Sequence, residues 1–295
     1  MEIPWGTSYH TLPDGRRLAF TGAGPQDADD LLLCLPGVLE IRKTFDPVLG
    51  ALPAGLRCIS VDHCGRGDSD PLPGDLGYSM ARYLDDLTHF LSHHLSAHAR
   101  LHLLGTSMGG LLTFYLANNK ALPVRSILLN DIGLSLDWMA LVGMSKDMKS
   151  AGASLDARGL AASLQVTNGV LSAVQSPTHF DLPYRRSLRG MRFEQLIDGF
   201  PGTLRLAKGQ LSQICTAVQI QELQRLHPTA QVLEVQDAGH PVLFDEQVCS
   251  FLLEDLCSVR EGAPARQQAM PPGASAQLEP PKGLWSWVKR QFRAQ

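Results

Sequence analysis

Short apolar runs alternate along the chain with longer segments that repeat apolar residues at helical spacing. The runs Leu31–Leu35 and Arg57–Val61 predict buried strands, and Leu84, Leu87 and Leu91 predict a helix over Tyr78–Leu95. Continuously apolar strands separated by helices indicate the α/β class, with a mostly parallel sheet covered on both faces. The other predicted strands are Arg17–Thr21, Leu101–Leu104, Ser126–Leu129, Leu204–Ala207 and Gln231–Val235, and the other predicted helices are Ser107–Asn118 and Val242–Val259.

Two regions interrupt this alternation and divide the chain. Residues 134–200 contain no clear strand, are rich in Met, Leu, Gly and Ser, and are predicted to form a helical lid inserted into a domain spanning 1–261. Residues 262–282 are rich in Pro, Ala and Gln, which is typical of a linker. Residues 283–295 form a basic tail with aromatic side chains.

Composition narrows the class of protein without identifying an activity. The 295 residues are 44% hydrophobic, which argues against a disordered chain, and the net charge of −3 argues against nucleic acid as the main partner. We expect a cytoplasmic protein, because no apolar run is long enough to span a membrane and the N-terminus does not resemble a secretory signal. The six scattered cysteines contain no Cys-x-x-Cys pair and fit reduced thiols, so no metal site is predicted.

The strongest chemical signal is Gly105-Thr106-Ser107-Met108-Gly109, a G-x-S-x-G pattern between a predicted strand and a predicted helix. Small residues on either side of Ser107 permit a tight turn that presents its hydroxyl as a nucleophile. The free N–H groups of the following helix favour an oxyanion. The alternative is a glycine-rich turn in which Ser107 only caps the helix.

Two further segments contain the partners that such a serine needs. The turn Pro36-Gly37-Val38 follows a predicted strand, and its Val38 N–H would join that of Met108 in an oxyanion hole. Taken alone, this turn also fits an ordinary strand end. His240 follows the last predicted strand and would be the general base for Ser107, in the expected Ser-then-His chain order.

Together these segments resemble the α/β-hydrolase fold family over roughly residues 7–260. The Asp62–Asp70 stretch and the strand end Leu129–Gly133 match as well. The resemblance implies an eight-stranded, mostly parallel sheet and a Ser–His–acid triad. It further implies hydrolysis of a carboxylic ester or related acyl bond without a metal or organic cofactor, as in the serine esterases and lipases.

The sequence departs from the family pattern at the acid. The segment that usually supplies it, after the seventh strand, has Gln213 at the acid position. An amide can accept a hydrogen bond from the histidine, but it has no charge to stabilise an imidazolium. Three explanations remain open: Asp131 supplies the acid, Gln213 orients His240 in a Ser–His dyad, or catalysis has been lost. Asp131 also fits a capping or loop-orienting role.

The predicted lid and the basic tail indicate which substrate and partners the protein would have. Met and Leu in the predicted lid suit a small-molecule ester with a short-to-medium acyl chain, although they would equally pack the lid onto the sheet. In the tail, Leu284, Trp285, Val288 and Phe292 share a helical face beside basic residues. This pattern fits peripheral contact with an anionic inner membrane surface, and the alternatives are docking on a protein, docking on the chain's own domain, or disorder. If catalysis has been lost, the domain would be a binding or interaction module.

Overall fold

The computed structural model describes residues 6–38, 40–73, 77–96, 99–136 and 191–256. Eight strands form one sheet, and they are β1 (Ser8–Thr11), β2 (Arg17–Ala23), β3 (Asp30–Leu35), β4 (Leu56–Val61), β5 (Arg100–Thr106), β6 (Val124–Asn130), β9 (Thr203–Gly209) and β10 (Gln231–Val235). Their order across the sheet is β1-β2-β4-β3-β5-β6-β9-β10. The first two pairings, β1 with β2 and β2 with β4, are antiparallel, and all the others are parallel.

Helices follow the strands and cover the sheet. A 3-10 turn at Arg42–Phe45 leads into the first helix. The short strands β7 and β8 pair with each other outside the main sheet. The helices are α1 (Asp46–Gly50), α2 (Met80–His94), α3 (Met108–Asn118), α4 (Glu194–Ile197), α5 (Ala217–Leu226) and α6 (Glu246–Leu253), and the two short strands are β7 (Ser135–Leu136) and β8 (Met191–Arg192).

The apolar strand β3 shows why the predicted sheet has helices on both faces. All six of its residues are buried. Leu31, Leu33 and Leu35 belong to one core cluster together with α2 and α3 side chains, whereas Leu32 and Cys34 belong to a second cluster with α1 and α6 side chains. Successive side chains on a strand point to opposite faces, so a strand buried on both sides needs apolar side chains on both faces. The one polar residue of β3, Asp30, is bonded to Arg100 and His102.

The predicted α/β-hydrolase fold is confirmed, with seven of the eight sheet strands predicted from the pattern. The missed strand is β1, whose four residues Ser-Tyr-His-Thr are mostly exposed and contain no aliphatic side chain. The predicted helix Val242–Val259 begins only at Glu246 because Asp245 caps it, its side chain accepting a hydrogen bond from the N–H of Val248 at 2.8 Å. Helices α1 and α5 were not predicted.

Several predictions fall on other parts of the chain. Most of the predicted lid and all of the linker and tail lie outside the described residues. No described helix is long and apolar enough to cross a membrane. The described cysteines, Cys34, Cys58, Cys64, Cys215 and Cys249, are all buried free thiols.

Candidate active site

Ser107 lies in the sharp turn between β5 and α3. Its backbone has φ 49° and ψ −114°, a left-handed conformation that costs a non-glycine residue on the order of 1–3 kcal/mol. A Cβ atom on Gly105 would lie 2.4 Å from the backbone of Gly109, and one on Gly109 would lie 1.9 Å from the carbonyl oxygen of Leu35. Both glycines are therefore required for the tight packing of this turn against β3.

The side chains of Ser107, His240 and Asp131 form a continuous chain of hydrogen bonds. Nε2 of His240 lies 3.0 Å from Oγ of Ser107, and Nδ1 lies 2.7 Å from Oδ2 of Asp131. Ser107 is 8% exposed and Asp131 is fully buried. Because a carboxylate only accepts hydrogen bonds, Nδ1 donates to Asp131, which leaves Nε2 to accept the serine hydroxyl proton.

Asp131 is fixed by the backbone of the neighbouring strand β9. Its N–H donates to the carbonyl oxygen of Ala207 at 2.8 Å, and its Oδ1 accepts the N–H of Gly209 at 3.0 Å. The residue also has a positive φ of 55°. These bonds hold one carboxylate oxygen in place, so the other oxygen is free to orient His240.

Asn130 holds the loop that contains His240. Its amide donates to the carbonyl oxygen of Val242 at 2.8 Å and accepts the N–H of Val242 at 3.0 Å. The same loop passes so close to β9 that a Cβ on Gly209 would lie 2.3 Å from the carbonyl oxygen of Gly239. Asn130 and Asp131 thus position the backbone and the imidazole of one loop. Sequence reasoning did not single out Asn130, since nothing local marks its partner 112 residues away.

Gln213, which stands at the acid position of the family pattern, is not the hydrogen-bond partner of His240. Its side chain is exposed, and the Nδ1 atom of His240 bonds to Asp131 instead. Asp237, three residues before the histidine, is exposed as well. Of the candidate partners for His240, only Asp131 is buried against the imidazole.

The turn Pro36-Gly37-Val38 lies against the elbow of Ser107. A Cβ on Gly37 would come within 3.4 Å of the carbonyl oxygen of Thr106. The carbonyl of Gly37 accepts the N–H of Glu40 at 3.2 Å. In a trans peptide the carbonyl and the following N–H point in opposite directions, so the N–H of Val38 points away from the side on which the carbonyl of Gly37 accepts its hydrogen bond. The N–H of Met108 is the first of α3 and has no carbonyl one turn earlier in its helix.

Glu40 is a buried acid behind this turn that sequence reasoning missed. Its Oε2 accepts the N–H of Gly37 at 2.7 Å, and the residue is 3% exposed. Burial raises the pKa of Glu40 to about 7, while the hydrogen bond from Gly37 and the positive charge that His240 can acquire act in the opposite direction. Glu40 therefore bonds to Gly37 twice, because its side chain accepts the N–H of Gly37 and its own backbone N–H donates to the carbonyl of Gly37.

Arginine side chains hold the loop Asp62–Asp70 beside the same turn. Nε of Arg66 donates to the carbonyl oxygen of Val38 at 2.7 Å, and Nη1 donates to the hydroxyl of Tyr83 at 2.6 Å. Arg42 forms ion pairs with Asp62 and Asp68. Burial, followed by the charge of Arg66, lowers the pKa of His63 to about 3. The neutral ring of His63 lies 3.2 Å from the carbonyl oxygen of Pro36.

Comparison with known proteins agrees with this architecture. Residues 30–151 match a family model described as alpha/beta hydrolase fold. The structure of an alpha/beta hydrolase from Novosphingobium aromaticivorans superposes with a TM-score of 0.69 at 23% identity, covering 86% of this chain and 99% of that one. A thermophilic esterase from Thermogutta terrifontis gives 0.63 at 20% identity, covering 80% and 91%. The chain therefore has the α/β-hydrolase fold.

A curated relative shares part of its sequence with this chain. The 3-hydroxybutyrate-oligomer hydrolase of Cupriavidus necator is 34% identical over 125 residues. That match covers 41% of this chain and 40% of the relative, so the chain spans well under half of the relative's length. The similarity concerns the fold and does not extend to the relative's whole sequence.

Proposed function

We propose that the protein is a serine hydrolase that cleaves a carboxylic ester or a related acyl bond through an acyl-enzyme. The observation that carries the proposal is the hydrogen-bonded series from Ser107 through His240 to Asp131, with donor–acceptor distances of 3.0 and 2.7 Å. A serine hydroxyl is a weak nucleophile, and such a series supplies both the base and the group that orients the base.

In the first half of the reaction, Oγ of Ser107 attacks the carbonyl carbon while Nε2 of His240 takes the hydroxyl proton. The resulting oxyanion accepts hydrogen bonds from the N–H groups of Val38 and Met108. Collapse of the tetrahedral intermediate breaks the bond to the leaving alcohol, which receives the proton from His240. The acyl group remains on Ser107.

In the second half, His240 removes a proton from water, whose oxygen attacks the acyl carbon. Collapse releases the carboxylic acid and returns the proton to Ser107. The carboxylate of Asp131 stabilises the imidazolium of His240 in both halves. Its burial and its bond to Gly209 support assigning the acid to Asp131 rather than to Gln213.

For the substrate we propose an ester with a short-to-medium acyl chain. The partial relative is named a 3-hydroxybutyrate-oligomer hydrolase, and oligomers of a hydroxy acid are joined by ester bonds. A panel of nitrophenyl esters from acetate to decanoate, with 3-hydroxybutyrate dimer and trimer alongside, measures the preference. Turnover of every ester no faster than by Ser107→Ala would contradict the ester assignment.

Labelling with a fluorophosphonate probe tests the mechanism independently of the substrate. We expect one equivalent of label on Ser107, and loss of labelling in Ser107→Ala and at least a thousandfold slower labelling in His240→Ala. Thermal unfolding of each variant checks that it is folded. A folded wild-type protein that takes up no label would refute the hydrolase and favour a binding module built on the same fold.

We also propose that the basic tail, residues 283–295, lets a cytoplasmic protein contact an anionic membrane surface. The proposal rests on the sequence pattern of that segment. Sedimentation with phosphatidylglycerol vesicles should carry down the full chain but not a chain ending at residue 261. Equal sedimentation of the two forms would contradict the role of the tail.

A further inference from the structure

Three histidines from two distant segments of the sequence meet at one edge of the sheet. His10 lies on the edge strand β1, and His89 and His93 lie one turn apart on α2. Each ring offers a nitrogen within 4.8 Å of the nitrogens offered by the other two. His10 and His89 are partly buried and His93 is exposed, so the group is open to solvent from one side.

The hydrogen bonds around the rings determine which nitrogens have free lone pairs. Nδ1 of His93 lies 2.9 Å from the carbonyl oxygen of His89. A carbonyl only accepts, so this nitrogen bears the proton and Nε2 of His93 is left with a lone pair. Nε2 of His10 lies 2.9 Å from Nδ1 of His89, and Nδ1 of His10 lies 3.3 Å from Nε2 of His94.

The rings of His10 and His89 are less basic than a free imidazole. Burial, reinforced by His89 and His93, lowers the pKa of His10 to about 4. Burial and then His93 also lower the pKa of His89, against a smaller opposing effect of Asp86. The carboxylate of Asp86 is itself paired with Arg16. Neutral imidazole is the form that binds a metal ion.

We propose that His10, His89 and His93 bind a divalent transition-metal ion of the zinc class. An i, i+4 histidine pair on a helix with a third imidazole from another element supplies three nitrogen ligands, and water completes a tetrahedron. Bond lengths of about 2.0–2.1 Å require ligand nitrogens about 3.3 Å apart. The 2.9 Å pair of His10 and His89 must therefore open slightly, and the spacing to His93, which is at most 4.8 Å, must match this distance.

Coordination moves protons between ring nitrogens. The ion replaces the hydrogen bond between His10 and His89, so the proton shared by these two nitrogens must move to the other nitrogen of the ring that bears it. With Nε2 of His10 on the ion, the proton of that ring lies on Nδ1, where Nε2 of His94 can accept it. A hydrogen-bonded partner of this kind on a ligand's second ring nitrogen orients the ligand and increases its basicity. The ring of His94 is itself held by stacking on Phe90, with centroids 4.1 Å apart.

The structural consequence is a link between the edge strand and a helix. Strand β1 has only four residues and pairs only with β2. An ion shared by His10 and α2 would fix this strand to the helix that covers the sheet, and would stabilise the folded chain in proportion to its occupancy. The proposed site uses none of the residues assigned to hydrolysis.

Calorimetric titration of the chelator-treated full chain with ZnCl₂ at pH 7.5 tests the proposal, followed by thermal unfolding with and without zinc. We expect one strong equivalent and a rise in Tm of about 5–10 °C at a hundredfold excess over Kd. His93→Ala should weaken binding at least tenfold, and the exposed neighbour Ser96→Ala should bind as the wild type does. Co²⁺ should give the visible absorption of a tetrahedral site.

The variant His240→Ala tests whether zinc binds at the three histidines or at the imidazole of the active site. Zinc binding in His240→Ala should equal that of the wild type. The proposal is overturned if the wild type binds no zinc at 100 μM. It is also overturned if His93→Ala keeps the wild-type affinity, or if His240→Ala abolishes binding.

Discussion

Replacing Asp131 with Asn should disable the active site by changing which nitrogen of His240 bears the proton. In the wild type, the two carboxylate oxygens accept from the N–H of Gly209 at 3.0 Å and from Nδ1 of His240 at 2.7 Å. An asparagine has one acceptor oxygen and one donor NH₂ group, so it can satisfy only one of these two donors. The N–H of Gly209 belongs to the backbone and cannot turn away.

The asparagine oxygen should therefore face Gly209 and its NH₂ group should face the imidazole. His240 must then accept at Nδ1 and bear its proton on Nε2, where it can no longer take the proton of Ser107. The charge that stabilises the imidazolium is lost as well. In serine proteases the corresponding change lowers turnover about 10⁴-fold. We expect kcat/KM and the fluorophosphonate labelling rate to fall about 10³–10⁴-fold, equivalent to about 4–5.5 kcal/mol.

Asp237→Asn is the matched control, because Asp237 is an exposed aspartate close to His240 in sequence and should change neither rate by more than about twofold. Both variants are assayed at pH 8 with the best nitrophenyl ester, and thermal unfolding verifies that each is folded. The double variant Asp131→Asn/Gln213→Asp tests whether an acid at the usual family position restores the rate. A folded Asp131→Asn protein within tenfold of wild type would refute the assignment of the acid.

Three further changes test other contacts. Asn130→Asp removes the donor to the carbonyl of Val242, so we expect kcat to fall at least tenfold. Asn130→Gln shows whether an amide alone suffices. Unchanged kcat in Asn130→Asp would contradict a positioning role for Asn130. Because the pKa of Glu40 rises from 4.5 to about 7 on folding, the wild type loses stability as pH rises between these values, by about 3 kcal/mol. Relative to the wild type, Glu40→Gln should therefore have a higher free energy of unfolding in urea at pH 8 than at pH 4. A difference between the two proteins that does not change with pH would argue against the buried acid. Gly109→Ala should lower the free energy of unfolding by about 3 kcal/mol or more, since its Cβ would lie 1.9 Å from a carbonyl oxygen. Gly6 has open space around it, so Gly6→Ala should leave the Tm of thermal unfolding unchanged.

Much of the fold was predictable because burial on both faces of the sheet leaves a simple pattern. The six-residue run of β3 and the strand-to-helix turn at Ser107 are local features that one segment displays by itself. Strand β1 was missed because an exposed edge strand needs no apolar residues. The start of α6 was misplaced because apolar periodicity continues through the loop that precedes Asp245.

The partners within the site were harder to predict because they depend on distances between segments. Sequence alone left Asp131 and Gln213 as rival partners of His240, and only the three-dimensional arrangement shows which side chain faces the imidazole. Glu40 lies two residues after the turn Pro36-Gly37-Val38 and belongs to no recognisable motif. Nothing in the sequence links the histidines of α2 to His10, because His10 lies 79 residues before His89.

The strand order has a consequence for how this site could be exchanged between related proteins. Strands β5 and β6 are neighbours, and α3 connects them, so residues 100–131 contain both the proposed nucleophile Ser107 and the proposed acid Asp131 as one continuous piece. A family member with its acid after a later strand divides these two groups between separate segments. Here the single segment 100–131 could transfer both groups into a related scaffold that supplies a histidine loop meeting Asn130 and a turn equivalent to Pro36–Val38.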